Sequence, residues 1–315
     1  MTIQFDEIAP QYTPDALIET DLTGQLSGIP IDRKKTLLVG HMLDANRVAG
    51  PTLTEQVYQI YGVNHAIELF GEGSDLAVMT EYFLKNAPRS PLYAVDYTDA
   101  SGTAAAGVVT LATQATGAGT LNVWVGGDHY RVGIASGDSA DTVGDLLEAE
   151  INAASNKPYT ASNSSGTVTI TCRTKGTHGN TIRYHSTITA GIAMTSADTA
   201  AAFTGGATPG TPTTALANAQ GDRYHLVALN TSQDATTLGL LSTDRELQSS
   251  VSVQKWGIGI IGDSDTAANV QTLASGDDSY RTQIAWLPNS DQPCFVLAAA
   301  FAGYRASKAA NLPLD

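Results

Sequence analysis

Between Tyr224 and Pro288 three apolar runs, "YHLVALN", "KWGIGIIG" and "RTQIAWLP", are separated by segments of helical character. A strand that stays apolar along its length is buried on both faces, and strands that alternate with helices are joined by crossovers. This stretch therefore predicts a parallel sheet covered by helices. A similar rhythm occurs near the start. Thr36 to Val39 in "RKKTLLVG" suit a strand, Leu53, Val57 and Ile60 fall on one helical face, Leu76, Met79 and Phe83 do the same, and "SPLYAVDYT" reads as a second strand. The order expected there is strand, helix, helix, strand.

Near Asp96 the composition turns to alanine, glycine, threonine and serine, and it stays so through "FTGGATPGTPTTA". Within it, "GTLNVWVGGDHYRVGIA" holds two alternating runs joined by Gly-Gly-Asp, the pattern of a hairpin. In "SGDSADTVGDLLEAEINAA" a helix is expected, with Val143, Leu147 and Ile151 on one face and Asp138, Ser139 and Asp141 supplying cap oxygens. "GTVTITCR" and "NTIRYHSTI" alternate as further strands. The simplest organisation is an α/β core, mostly parallel sheet with flanking helices, interrupted by an inserted strand-rich α+β domain. The expected boundaries are an extended N-terminal arm at 1–30, a discontinuous core at 31–95 and 212–315, and the insertion at 96–211. A last helix is expected over Cys294 to Lys308.

The 315 residues are 42% hydrophobic, which supports a sizeable core and two domains or one with an insertion. A formal net charge of -14 repels both nucleic-acid phosphate and an anionic membrane surface, so no direct nucleic acid and no membrane are expected as partners. No stretch approaches the roughly 20 apolar residues of a membrane span, and "MTIQFDEIAPQYTP" has no basic region followed by an apolar run. Two cysteines, Cys172 and Cys294, make no disulfide framework, and stability must come from packing. Assembly in a cytoplasm is the expectation.

Candidate chemistry is sparse. "FGEGS" sets Gly71, Gly73 and Ser74 before a helix, but lacks the third glycine of a dinucleotide fingerprint and the Gly-Lys-Ser/Thr of a P-loop, and Glu72 sits where an anion would approach. A turn capped by Ser74 is the expected reading. "GIGIIGDSDT" places Asp263 and Ser264 after a strand, as in one group of serine esterases, yet the last histidine, His225, precedes Ser264 and no Asp-x-x-His follows. Asp263 and Ser264 are expected to end the strand and cap the next helix. His41, His65, His129, His178, His185 and His225 never stand at i, i+3 or i+4, so no helical zinc pair exists. Asp263 and Asp265 could hold a hard cation, and Trp124, Tyr130 and Tyr184 could stack on a sugar, though a solvated cap and core aromatics explain both. No catalytic, cofactor-binding or metal residue is assigned, and no cofactor is implied.

The order of several segments resembles a known family. "AGTLNVWVGGDHYRVGIASGDSADTVGDLLEAEINA" followed by "TVTITCRTKGTHGNTIRY" resembles the insertion of Mu-type contractile phage tail sheath proteins, and "RKKTLLVG", "FGEGSDLAVM", "YHLVALNTSQDATTLGLL" and "AGYRASKAANLPLD" continue the match. The resemblance implies a structural subunit, with no enzymatic role, that polymerises around the tail tube in a virion tail and contracts to drive the tube through the host envelope. It implies as partners neighbouring sheath subunits, the tail tube protein, and baseplate and tail terminator proteins. It also implies strand exchange by the arm, Met1 to Thr23, and an insertion that decorates the outer surface. Members of the family continue past a segment like "NLPLD", so the resemblance implies a C-terminally truncated chain that lacks the tube-facing surface. A serine esterase-like hydrolase using Ser264, and a surface glycan-binding module, stay open as alternatives.

Overall fold

A computed structural model describes residues 34–43, 47, 55–97, 102–189, 201–208, 210–230, 234–277 and 279–311. The expected arm, at 1–30, lies outside them. In chain order the elements are β1 (Thr36–Gly40), β2 (Val57–Ile60), α1 (Val63–Phe70), α2 (Asp75–Asn86), β3 (Leu92–Asp96), β4 (Ala106–Thr110), β5 (Gly119–Val125), β6 (Asp128–Ile134), α3 (Ala140–Ala153), β7 (Tyr159–Ser164) and β8 (Thr167–Cys172). There follow a 3₁₀ turn (Thr177–Thr181), β9 (Arg183–Ile188), β10 (Ala201–Ala202), α4 (Thr213–Ala219), β11 (Leu226–Leu229), α5 (Ala235–Gln248), β12 (Ile258–Asp263), α6 (Ala267–Asp277), β13 (Thr282–Trp286) and α7 (Cys294–Asn311). No described helix is long and apolar enough to cross a membrane.

The apolar runs form one six-stranded sheet in the order β13-β12-β11-β1-β3-β2. All its neighbours pair in parallel except β2 with β3. β1 explains why such a run carries no alternation. Leu38 points into a cluster with Leu76, Met79, Phe83 and Phe295 from α2 and α7, while Leu37 and Val39 point into another with Leu216, Leu238 and Leu241 from α4 and α5. Both faces are covered, so every residue of the strand is buried. At Gly262 the helix α7 lies so close that a Cβ would come within 1.8 Å of Cys294 O, which only glycine permits.

One sequence expectation is corrected here. Val57 and Ile60, read as part of a helical face, belong to the strand β2, and the order is strand, strand, helix, helix, strand; Leu53 lies outside the described residues. A short apolar run has no decisive period, and its antiparallel register on β3, Val57↔Val95 to Ile60↔Leu92, supplies hydrogen bonds that local spacing does not reveal.

The segment between Ala106 and Ala202 builds a four-stranded sheet, β10-β9-β5-β6, and a three-stranded one, β4-β8-β7. β5 and β6 form the expected hairpin, in which Val125 pairs with Asp128 across Gly126 and Gly127. Both glycines have positive φ, 57° and 83°, as a two-residue turn that matches strand twist requires. The alternating inward residues Val123, Val125, Val168 and Ile170 meet Val143 and Leu147 of α3 in a separate core. Ser139 caps α3 by accepting from Thr142 N at 3.1 Å. β4, β7 and β10 are strands that no run in the sequence announced.

Candidate functional site

In open α/β sheets, ligands bind in the crevice beyond the carboxyl ends of the strands, where the order of strands reverses. Here the reversal falls at β1, flanked by β3 on one side and β11 on the other. The residues just past those strand ends are His41, Tyr97 and Asn230, and all three are buried. What fills the crevice is the protein itself. Thr174 and His178, from β8's exit and the 3₁₀ turn, enter from the other layer and meet Asp75, the first residue of α2.

Asp75 is the hub. Its Oδ1 accepts from Thr174 Oγ1 at 3.0 Å, and its Oδ2 accepts from Asn230 Nδ2 at 2.5 Å and from His178 Nε2 at 3.1 Å. Asn230 Oδ1 in turn accepts from the Tyr97 hydroxyl at 2.5 Å. His41 packs its ring on Tyr97 at 4.2 Å and on His178 at 5.0 Å between centroids, and its Nδ1 stands 3.3 Å from Tyr97 O. The carboxylate sits where it is wanted electrostatically, because α2 starts at Asp75 and a helix N-terminus carries partial positive charge.

The charges follow from this packing. Burial alone pulls the His178 imidazolium down and the Asp75 carboxyl up, since each would lose its hydration when charged. Their mutual attraction and shared hydrogen bond outweigh both, so His178 is pushed up to about 10 and Asp75 is held below the ordinary carboxylate range. His41 is lowered to about 4, first by burial and then by the positive His178 beside it. The junction holds one imidazolium–carboxylate pair and one neutral imidazole.

A second polar seam runs alongside. Asn156 Oδ1 accepts from Gly73 N at 3.2 Å, its Nδ2 donates to Glu81 Oε2 at 2.8 Å, and its backbone N–H donates to Glu72 Oε1 at 3.1 Å. Farther along, Lys157 Nζ lies 2.6 Å from Asp128 Oδ1, and the Tyr159 hydroxyl donates to Asp128 Oδ2 at 2.9 Å. The cleft at this seam has a volume of about 10 Å³, enough for a water molecule and too small for a substrate.

The candidates from the sequence fall into place one at a time. The "FGEGS" loop is a turn, with Gly71 at φ 88° and Gly73 at φ 76°, and Ser74 caps α2 through Ala77 N at 3.2 Å. The N–H that could have met a phosphate, that of Gly73, is taken by Asn156. Asp263 ends β12 as expected, but the oxygens that meet the start of α6 come from its neighbours. Asp265 accepts from Thr266 N at 2.6 Å and from Asn269 Nδ2 at 2.7 Å, while Asp263 Oδ1 accepts from Asp265 N at 2.7 Å. Thr266 Oγ1, directly before α6, accepts from Asn269 N at 3.4 Å, and Ser264 Oγ accepts from the Cys294 thiol at 3.5 Å.

His225 cannot serve Ser264 as a base. His225 precedes β11 and Ser264 follows β12, and the two strands are parallel with Leu226 beside Ile258, so the pair stand at opposite ends of the sheet. The six residues of β12, at about 3.3 Å each, separate them by roughly 20 Å. Trp124 lies between His129 and His185, with ring centroids at 4.6 and 4.4 Å and interplanar angles of 15° and 6°, so neither face is open to a sugar. Tyr130 is buried against Tyr159, and Tyr184 packs edge-on to Phe203.

What the sequence reading did not find is the His41, Asp75 and His178 group. A search by i, i+3 and i+4 spacing sees only neighbours on one helix, whereas these residues come from a strand end, a helix start and a distant turn. One signal was present: His41 directly follows the β1 run, the position at which α/β folds gather functional groups.

No protein-family model matches the chain. Over 323 aligned residues, covering 100% of the chain and 64% of the relative, it is 29% identical to the Mu-like prophage FluMu tail sheath protein of Haemophilus influenzae. The chain thus spans less than two thirds of that protein's length. The similarity to this tail sheath protein runs along the entire chain, including the ordered motifs from "RKKTLLVG" to "AGYRASKAANLPLD".

Proposed function

We propose that the chain is a structural subunit of a contractile phage tail sheath, located in the virion tail after assembly in the host cytoplasm. The observation that carries this reading is similarity to a tail sheath protein across the whole chain. The geometry favours it too. The crevice in which an α/β enzyme would hold its substrate is packed with the buried side chains of His41, Asp75, Asn230 and His178, and the Ser264 and glycan readings lack a reachable base and an open ring face.

In this reading no cofactor is required. Subunits assemble around the tail tube in a strained lattice, and each releases free energy as its contacts rearrange to a shorter, wider one. Each difference is on the order of a kcal/mol, repeated along the tail, and packed interfaces switch between discrete arrangements. Residues 31–95 and 212–315 act as the rigid core that transmits motion, and 96–211 is an insertion on the outer surface. Neighbouring subunits, the tube protein, and the baseplate and terminator proteins are the partners.

The test compares this chain with one continued past Asp315 by the family's C-terminal region, using light scattering and negative-stain microscopy. Tubes from the longer chain support the sheath role. Monomers of both chains at every salt concentration overturn it.

A further inference from the structure

We infer that His41, Asp75 and His178 form a binding site for one borderline divalent metal ion of the Zn2+ class, which fastens the 174–181 turn onto the parallel sheet. The inference is independent of the sheath reading. One ligand atom from each residue lies within 4.8 Å of the other two, and all three residues are buried. Asp75 Oδ2 and His178 Nε2 are 3.1 Å apart. Two ligands about 2.0–2.2 Å from one ion, at an angle between octahedral and tetrahedral, have a separation of about 3 Å.

His41 supplies a separate observation. Its Nδ1 faces Tyr97 O at 3.3 Å, which fixes the tautomer with the proton on Nδ1. Nε2 is then a bare lone pair, and this buried atom has no hydrogen-bond partner. An imidazole that donates one N–H to a backbone carbonyl and offers the other nitrogen is the arrangement of a metal-ligating histidine. An acceptor left unpaired in the interior is costly, and coordination relieves that cost. Asn230 and Thr174 hold the carboxylate as outer-shell groups do.

The donor set decides the class of ion. Two imidazoles and a carboxylate suit Zn2+, Co2+, Ni2+ or Fe2+, whereas Ca2+ and Mg2+ require oxygen ligands throughout. Coordination by His178 requires its Nε2 without a proton. With the ligands buried, the ion enters before the turn closes over α2, during folding.

The test uses the whole chain without a polyhistidine tag. It is unfolded in guanidinium with EDTA, freed of chelator, refolded with equimolar Zn2+ or Co2+, dialysed, and analysed for metal content and visible absorption. About one equivalent of Zn2+ and a Co2+ d–d band are expected. Both should be lost in His41→Gln and in His178→Gln, and both kept in His129→Gln, whose side chain is exposed on β6. Because the first two variants could fail to fold, the wild-type result decides alone. A native circular dichroism spectrum with less than about a tenth of an equivalent of metal, and no Co2+ band, overturns the proposal.

Discussion

Asp75 Oδ2 lies 3.1 Å from His178 Nε2, both side chains at most 3% exposed, and this contact joins the first turn of α2 to a turn that follows β8. Removal of one partner strands a charge in the interior, whereas removal of both strands none. In chelator-containing buffer, Asp75→Asn and His178→Gln are each expected to lower the unfolding free energy by about 3–5 kcal/mol. The double variant should cost clearly less than the sum. Urea titrations check this; single-variant losses below about 1 kcal/mol would show that the pair carries no weight.

Close packing makes a contrasting pair of glycines. At Gly262 a Cβ would come within 1.8 Å of Cys294 O, and α7 would have to move off β12. Gly262→Ala is expected to cost about 3 kcal/mol, the upper end of the overpacking range. Gly239, inside α5, has nothing within 4 Å of an added Cβ, and Gly239→Ala should stabilise by about 0.5–1 kcal/mol. Thermal melts of the two variants should shift in opposite directions.

The stacked rings on β6, β5 and β9 give an optical readout. In a background with Trp256→Phe and Trp286→Phe, Trp124 is the remaining indole of the chain's 3. His185→Ala opens one of its faces, so its emission should shift to the red and acrylamide quenching should increase. Stability should change by about 1 kcal/mol or less. An unchanged spectrum would contradict the sandwich.

Buried phenols predict the alkaline limit. Burial pushes Tyr130 up to about 12, with Asp128 and Glu150 adding to the shift, and burial likewise raises Tyr159 and Tyr224. In the unfolded chain these phenols ionise near 10, so above that pH the unfolded state binds fewer protons than the folded one. Stability is therefore intact below pH 10 and is lost as pH rises towards 12. Absorbance at 295 nm should show these phenols ionising together with loss of circular dichroism, not before it.

Some elements were legible from local pattern because their cause is local. The hairpin was announced by two alternating runs around Gly126 and Gly127, and α2 and α3 by Ser74 and Ser139 ahead of apolar residues at helical spacing. β2 was misread because Val57 and Ile60 satisfy a helical and an extended pattern alike, and only the partner strand β3 separates them. The Ser264 lure looked sharp in one dimension. It dissolves once parallel strands set His225 and Ser264 at opposite ends of the sheet.

The amino-acid sequence by itself determined most of the elements and the α/β class of the sheet. Apolar runs with no alternation must be buried on both faces, alternating ones on one face, and the order of its motifs carries the likeness to tail sheath proteins. Only the tertiary structure decided what stands beyond the strand ends. His41, Asp75 and His178 converge there because a strand end, a helix start and a distant turn meet over one crevice, and no rule of spacing along the chain encodes that meeting. Its charges are decided by that meeting: the attraction and hydrogen bond between Asp75 and His178 outweigh burial and make them an ion pair, while burial holds the neighbouring His41 neutral.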